Sequence, residues 1–302
     1  MQDNYLGTII DFASPAGEPA LLAPDSVQWR VYKNPIALGI GGIAAVLLEF
    51  AEPRIRSGVW DHSTYKVDPI GRSRRTGLVA MLVCYGPASV AKEVIGKVNR
   101  LHGPVKGKTP AGESYRALDP VLLDWVAATA SYGFLMAYDR FVDPLGEADK
   151  DRFMREGDAI GREFGARHTP ASVDGFMEMM ATLEPRFEAH PIIFEFLDII
   201  QSGRAAPGTP RFLHRAIARA SVSLLPLHIR RRLDLGPKFD LTRADRLVLR
   251  AAGKLGDRFA SRTSAPCQAS LRLGLPANFL YRSQTEQNAL LQQRRALTPA
   301  AV

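Results

Sequence analysis

The chain has 302 residues and a formal net charge of +8, from 39 Lys and Arg against 31 Asp and Glu. Hydrophobic residues make up 46% and charged residues 23%, which is typical of a folded globular protein and excludes a disordered or fibrous chain. The two cysteines, Cys84 and Cys267, are too few for a disulfide-stapled secreted fold or a cysteine-rich zinc or iron–sulfur site.

The first 24 residues lack both a basic start and a continuous apolar run, so they predict an N-terminal extension rather than a secretory signal. The longest apolar run, 36–48, has about 13 residues including three glycines, which is shorter than the ~20 that span a bilayer. We therefore expect a cytoplasmic protein without a transmembrane segment.

Apolar residues recur every three or four positions over stretches longer than a strand, which predicts an all-α protein. Asp25 and Ser26 have the composition of a helix N-cap, and a buried helix over 36–50 follows and ends before Pro53. Residues 25–285 are predicted to form one multi-helix domain, followed by a tail over 286–302. The remaining helices are predicted at 72–85, 88–102, 121–142, 147–164, 172–183, 191–201, 210–223 and 243–261.

Residues 52–71 lie between the predicted helices at 36–50 and 72–85. They mix Pro, Gly, Asp and Ser with three aromatic rings, Trp60, His62 and Tyr65. Such a composition predicts a long connection, and long connections that carry aromatic residues often line a site.

Gly39, Gly41 and Ala44 have the spacing of a dinucleotide-binding turn. That turn follows a strand, whereas Asn34 and Pro35 precede this one within a helical context. The small residues are better explained by the close approach of a second helix or a flat ligand. The six histidines include no pair at the i, i+4 spacing of a two-histidine zinc site.

Arg72, Arg75 and Thr76 lie at i, i+3 and i+4, so they share one face of the first turns of a helix. If the chain reverses at Gly86, His102 returns to the level of Thr76 and lies on a stripe that points at the core. An imidazole facing two guanidiniums and a hydroxyl fits a planar cofactor with an axial histidine and carboxylates, and haem is the obvious candidate.

A series of short motifs, in a fixed order, resembles the oxygenase family of fungal mpaB and bacterial latex-clearing protein (rubber oxygenase). The motif positions are Asp25 to Arg30, Gly41 to Ala45, Pro53, Asp61 to Ser63, Asp68 to Thr76, Leu101 to Gly107, Tyr115 to Pro120, and Trp125 with Val126. The resemblance covers residues 25–285, and its distinctive motifs lie in the first half.

The resemblance implies an all-α, globin-like core that holds haem b, with His102 as the proximal iron ligand. It places Arg72, Arg75 and Thr76 on the distal side or at the propionates. There the arginines would stabilise the negative charge that develops on oxygen, and Thr76 would donate a hydrogen bond. The implied activity is an O₂-dependent oxygenation or oxidative cleavage of a hydrophobic small molecule. A haem-binding or small-molecule-binding carrier or sensor needs the same residues and stays the alternative.

Two positions depart from the family pattern. Latex-clearing protein has a lysine at the position of Arg75, and a guanidinium cannot lose its proton to coordinate iron. Relatives carry a histidine at the position of Ala127.

The C-terminal half is basic and includes the run Arg230, Arg231 and Arg232. Basic residues that alternate with Leu, Val and Ala at helical spacing are typical of the solvated face of an amphipathic helix. Two alternatives remain. One is weak contact of this run with an anionic surface through Arg230, Arg231 and Arg232, and the other is that the whole protein is a cofactor-free binder of anionic surfaces. Without a recognised module or a stacking platform, no specific nucleic-acid partner is predicted.

Overall fold

A computed structural model describes residues 3–64, 67–204 and 210–297. Fourteen α-helices occupy most of these residues, and the strands form only two short antiparallel hairpins, so the all-α class is confirmed. The globin-like arrangement of the core stays a prediction. The helices are α1 Val27–Tyr32, α2 Pro35–Ala51, α3 Pro53–His62, α4 Pro69–Tyr85, α5 Ala88–His102, α6 Pro120–Phe141, α7 Glu147–Phe164, α8 Val173–Leu183, α9 Pro191–Gln201, α10 Arg211–Leu224, α11 Leu227–Arg232, α12 Arg243–Gly256, α13 Ala265–Arg272 and α14 Gln284–Leu297.

The strands are β1 Asp3–Tyr5, β2 Thr8–Ile10, β3 Lys106–Lys108 and β4 Ser114–Arg116. Strand β1 pairs with β2, with Asp3 opposite Ile10, and β3 pairs with β4, with Lys106 opposite Arg116. Each hairpin is three residues long on each side, too short to form a sheet layer of its own.

Side-chain caps begin the helices that form the core. The Ser26 hydroxyl accepts a hydrogen bond from the Trp29 amide at the start of α1, as predicted. Asn34 caps α2 and Asp119 caps α6, and in both helices proline occupies the first helical position, where the absence of an N–H costs nothing.

The predicted long connection over 52–71 is wrong in its first half, because α3 occupies Pro53–His62. The Glu52 carboxylate accepts a hydrogen bond from the Arg54 amide, and Pro53 is the first helical residue. A capping acid followed by proline therefore starts a helix within a segment whose composition is typical of a loop.

The centre of the molecule is the crossing of α2 and α6 at two glycines. A Cβ atom added to Gly41 would lie 2.7 Å from the Gly133 carbonyl oxygen, and one added to Gly133 would lie 2.4 Å from the Gly41 oxygen. The two backbones are therefore in direct contact, which confirms that the small residues of α2 admit a second helix. On its other side α6 presents Tyr132, whose ring stacks on Phe176 of α8 at 4.2 Å.

By length and composition, α6 is the one helix among the described residues that could cross a membrane, and α2 with α3 would form a second candidate bent by 107°. The most apolar window of α6 is 56% buried inside the protein, and core helices pass the same test. The expected lack of a transmembrane segment stays a prediction.

Helices α4 and α5 form the predicted helical hairpin that reverses at Gly86 and Pro87. Leu82 of α4 packs with Ala91 and Val94 of α5, and Ile10 of β2 covers this small cluster. The hairpin therefore brings the start of α4 and the end of α5 to the same end of the pair.

The predicted N-terminal extension is tied to the helical body by Arg272, whose side chain is only 2% exposed. Its guanidinium donates hydrogen bonds to the carbonyl oxygens of Phe12, Glu18 and Tyr85. Burial lowers the pKa of Arg272 to about 10, so the side chain stays charged at neutral pH. One residue thus joins the extension, the end of α4 and the end of α13.

The C-terminal half differs from the sequence prediction in detail. The predicted helix over 243–261 ends at Gly256, and helices α11 and α13 lie where none was predicted. The predicted tail begins as α14, and residues 298–302 lie outside the described residues. The boundaries at 24 and 285 stay predictions.

Substitution of the crossing glycine tests the α2–α6 contact. Gly41→Ala is expected to lower the free energy of unfolding by about 2–3 kcal/mol, because the added methyl group meets backbone atoms that cannot move aside. The matched control is Gly39→Ala in the same helix, where a Cβ meets nothing within 4 Å. That change should leave stability equal or up to ~1 kcal/mol higher. Urea denaturation of the two variants measures both values, and equal effects would contradict the close crossing.

Candidate functional site

Helix α4 begins with the arginine and threonine face that the sequence predicts. Arg72 Nη1 donates to Thr76 Oγ1, and Arg72 Nε donates to Ser63 Oγ at 3.3 Å. Arg72 is half-buried, and in the described part of the chain its partners are hydroxyl groups and no ion pair is formed. A guanidinium held only by neutral groups has its full charge available to an anionic ligand.

Arg75, by contrast, is engaged with its own helix start. Its Nη1 donates to the Asp68 carboxylate at 3.1 Å, and its Nη2 donates to Thr64 Oγ1 at 3.1 Å. Asp68 is also the N-cap of α4, so this pair fixes the turn that precedes the helix. Arg75 and Thr76 are both exposed, so this part of the α4 face lies in solvent.

His102 is the last residue of α5, and the expectation that it points into the core is wrong, because its side chain is exposed. The apolar stripe is buried at Val94 and Ile95, is half-buried at Val98 and emerges at His102. Desolvation by surrounding protein, and then the positive charge of Arg72, lower the pKa of His102. The imidazole therefore lies at the protein surface, partly surrounded by protein, and its lowered pKa favours the neutral form at pH 7.

The Arg72 charge acts on a second group, Glu49, that the sequence analysis missed. Glu49 lies near the end of α2, and Thr129 Oγ1 of α6 donates to its carboxylate at 3.5 Å. Burial raises the pKa of Glu49 to about 7, against the opposing effects of Arg72 and Thr129. The signal that could have found it is that Glu49 is the single charged residue of an otherwise apolar helix.

The end of α3 positions the residues that contact Arg72 and Arg75. Tyr115 of β4 donates to Asp61 Oδ2 at 2.8 Å, and its hydroxyl lies 3.4 Å from His62 Nε2. Desolvation and the Asp61 carboxylate raise the pKa of Tyr115 to about 12, so the phenol keeps its proton. Because Ser63 directly follows this fixed end of α3, the position of the hydroxyl that accepts from Arg72 is also fixed.

The structure thus brings Arg72, Thr76 and His102 to one end of the α4–α5 hairpin and adds Glu49 from α2. Arg75 and His62 lie beside this group, and Tyr65 lies outside the described residues. In the described part of the chain, no three or more His, Cys, Asp or Glu side chains lie close enough together to hold a metal ion.

The predicted basic run on α11 is largely committed to the protein itself. Arg230 pairs with Asp240, and Arg232 donates to the carbonyl oxygens of Phe187 and Pro185. Arg231 and Arg232 are both exposed, and among the described residues Arg231 forms no ion pair or side-chain hydrogen bond. The predicted weak contact with an anionic surface stays a prediction, and within this run it depends on Arg231.

Comparison with known proteins identifies one family and two relatives. The family described as ER-bound oxygenase mpaB/B'/Rubber oxygenase, catalytic domain, matches residues 29–256. Uncharacterized proteins of Mycobacterium bovis and Mycobacterium tuberculosis are each 28% identical to the chain over 123 residues, which is 39% of this chain and 48% of the relative. The chain spans about half the length of these curated relatives. No solved structure gives a significant match.

The burial of Glu49 makes stability depend on pH. Its pKa is about 7 in the folded protein against 4.5 for the ordinary side chain, so the folded state binds more protons between these values. Stability should therefore fall as pH rises from 4.5 through 7. Glu49→Gln should be of order 2 kcal/mol more stable than wild type at pH 8 and nearly equal to it at pH 4.5. Denaturation curves at the two pH values measure this, and a pH-independent difference would contradict the assigned pKa.

Proposed function

This chain belongs to the family of mpaB and rubber oxygenase catalytic domains, and from that membership we propose that it is a haem b-dependent oxygenase. The proposed substrates are O₂ and a hydrophobic small molecule, which is oxygenated or oxidatively cleaved. The observation that carries the proposal is the meeting of a neutral His102 with Arg72 and Thr76 at one end of the α4–α5 hairpin.

The donor set at this end fits haem. The neutral imidazole of His102 has no hydrogen-bond partner for its ring in the described residues, so a ring nitrogen is free to ligate iron. Arg72 offers a charge without an ion-pair partner, which suits a propionate carboxylate. Ile70 and Leu101 are exposed at the same end of the hairpin and would be covered by a large apolar ring.

When bound there, haem supplies a redox-active iron that activates O₂. The residues of the chain have separate tasks. His102 would hold the iron, and Arg72 would bind an anionic group or stabilise negative charge on oxygen. Thr76 fixes the position of the Arg72 guanidinium through its hydroxyl group. Glu49, with a pKa of about 7, can hold or release a proton at its carboxyl oxygen near neutral pH.

Arg75 is proposed for the same region in a lesser role, because Asp68 and Thr64 already bind its guanidinium. It supports the first turn of α4 and so the position of Arg72. The apolar helices α2 and α6 are proposed to border the substrate cavity on the side where Glu49 and Thr129 meet. A cytoplasmic location is proposed together with these assignments.

Cofactor loading gives the first test. Protein expressed with sufficient haem should show a Soret band that shifts on addition of dithionite, and His102→Ala should lose most of that absorbance per mole of protein. The matched control is His228→Ala, because His228 is an exposed histidine that contacts Glu184 on a different surface. A colourless wild-type protein that also refuses added haemin, or His102→Ala with its full complement of haem, would refute the assignment.

Turnover separates the oxygenase from a carrier or sensor. Consumption of O₂ in the presence of an isoprenoid alkene should exceed that of boiled protein, and Thr76→Val should reduce the rate about tenfold or more, because Arg72 loses one of its two hydroxyl partners. Thr76→Ser should restore most of the rate. A haem-loaded protein that consumes no oxygen with any alkene would favour the non-catalytic alternative.

A further inference from the structure

Helix α12 packs on the helical body with one side and leaves an apolar stripe in solvent on the other. Leu249 and Gly253 are buried, and a Cβ atom on Gly253 would lie 2.4 Å from the Phe141 carbonyl oxygen. On the outward side Leu247 and Leu255 are 71% and 70% exposed. At about 100° per residue they share one stripe with three further exposed residues. These are Ala244, Val248 and Ala251.

A basic stripe runs beside the apolar one on the same helix. Its members, at adjacent angles around the helix axis, are Arg243, Arg246, Arg250 and Lys254, and all are exposed. Within the described residues none of these four side chains forms an ion pair or a hydrogen bond. The acidic residues nearby are used elsewhere, because Asp245 pairs with Arg219 and Asp257 pairs with Lys33.

Further exposed apolar residues follow α12 in the chain. Phe259 is 72% exposed, and Leu271 of α13 is exposed at the edge of a pocket of about 490 Å³. Arg262 lines the same pocket, and Arg258 adds a further exposed charge between α12 and the pocket. We define the docking face as the outward side of α12 together with Phe259 and Leu271.

We propose that this docking face binds the surface of an anionic lipid bilayer. Large exposed apolar side chains beside unpaired Arg and Lys are the composition of helices that lie in a membrane interface, with the apolar stripe among acyl chains and the cations at lipid headgroups. A nucleic acid would use the basic stripe but would leave Leu247, Leu255 and Phe259 in water. The bilayer is the partner whose chemistry matches both stripes.

The docking face is separate from the proposed catalytic residues. Gly256 at the end of α12 packs near Pro35, at the start of α2, whereas Glu49 lies 14 residues further along that helix. At 1.5 Å per residue this separation is about 21 Å. Membrane binding and cofactor loading can therefore fail independently, and each has its own test.

Flotation with liposomes tests the docking face in the full chain. Wild-type protein should float with vesicles of phosphatidylcholine and phosphatidylglycerol at 7:3, and much less with phosphatidylcholine alone. Binding should weaken as NaCl is raised, because the contributing charges are exposed. Leu247→Glu with Leu255→Glu should lower the partition coefficient more than tenfold. Arg246→Gln with Arg250→Gln should lower it about 25-fold, at about fivefold for each charge.

The matched control is Leu227→Glu, which changes a 57% exposed leucine on α11. It should bind vesicles as wild type does, and all variants should keep the wild-type unfolding transition because the changed side chains are exposed. The proposal is overturned if wild type does not float with anionic vesicles or if Leu227→Glu loses as much binding as the α12 variants. It is also overturned if the α12 variants only abolish a concentration-dependent dimer, since the face would then pair with a second copy.

Discussion

The direct backbone contact between Gly41 and Gly133 is the constraint on which the rest of the molecule depends. Where two helices cross without side chains between them, their axes lie closer than the 8–10 Å usual for packed helices. This contact fixes where every other residue of α2 and α6 lies. Two turns beyond Gly41, α2 presents Glu49 toward α6, where Thr129 donates to it. A wider crossing would separate this pair.

The candidate site is built between that rigid pair and the α4–α5 hairpin. Glu49 belongs to the centre of the molecule, whereas Arg72 and His102 belong to a hairpin with a small separate cluster of buried residues. The charge of Arg72 is the element that links the two, because it affects the pKa of both Glu49 and His102. The charge of Arg72 therefore couples groups from α2 and α5 within one site.

Sequence alone predicts what is governed by local rules. Ser26 acts as the predicted cap because the hydrogen bond that it accepts comes from an amide three residues further along. The reversal at Gly86 follows from the same kind of rule. Helix α3 is not predicted, because the loop-like composition after Pro53 obscures the start signal formed by the capping acid Glu52 and Pro53. The spacing of Arg72 and Thr76 on one helix face, together with the reversal at Gly86, predicts that His102 returns to their level.

Helical periodicity does not predict the burial of a side chain where that burial depends on which other elements pack against it. The stripe through Val94 and Ile95 predicts a buried His102, but at the last residue of α5 the side chain is exposed. Glu49 was overlooked because its significance depends on α6 and α4, which no local pattern connects to it.

The three hydrogen bonds of Arg272 bear on how far the folding unit extends along the chain. The region that defines the family ends at residue 256, yet the guanidinium at 272 gathers carbonyl oxygens from residues 12, 18 and 85. Residues on both sides of the family-matched region thus meet at the end of α4, beside the turn of the α4–α5 hairpin. The folded body that Arg272 holds together therefore extends beyond the family-matched region on both sides.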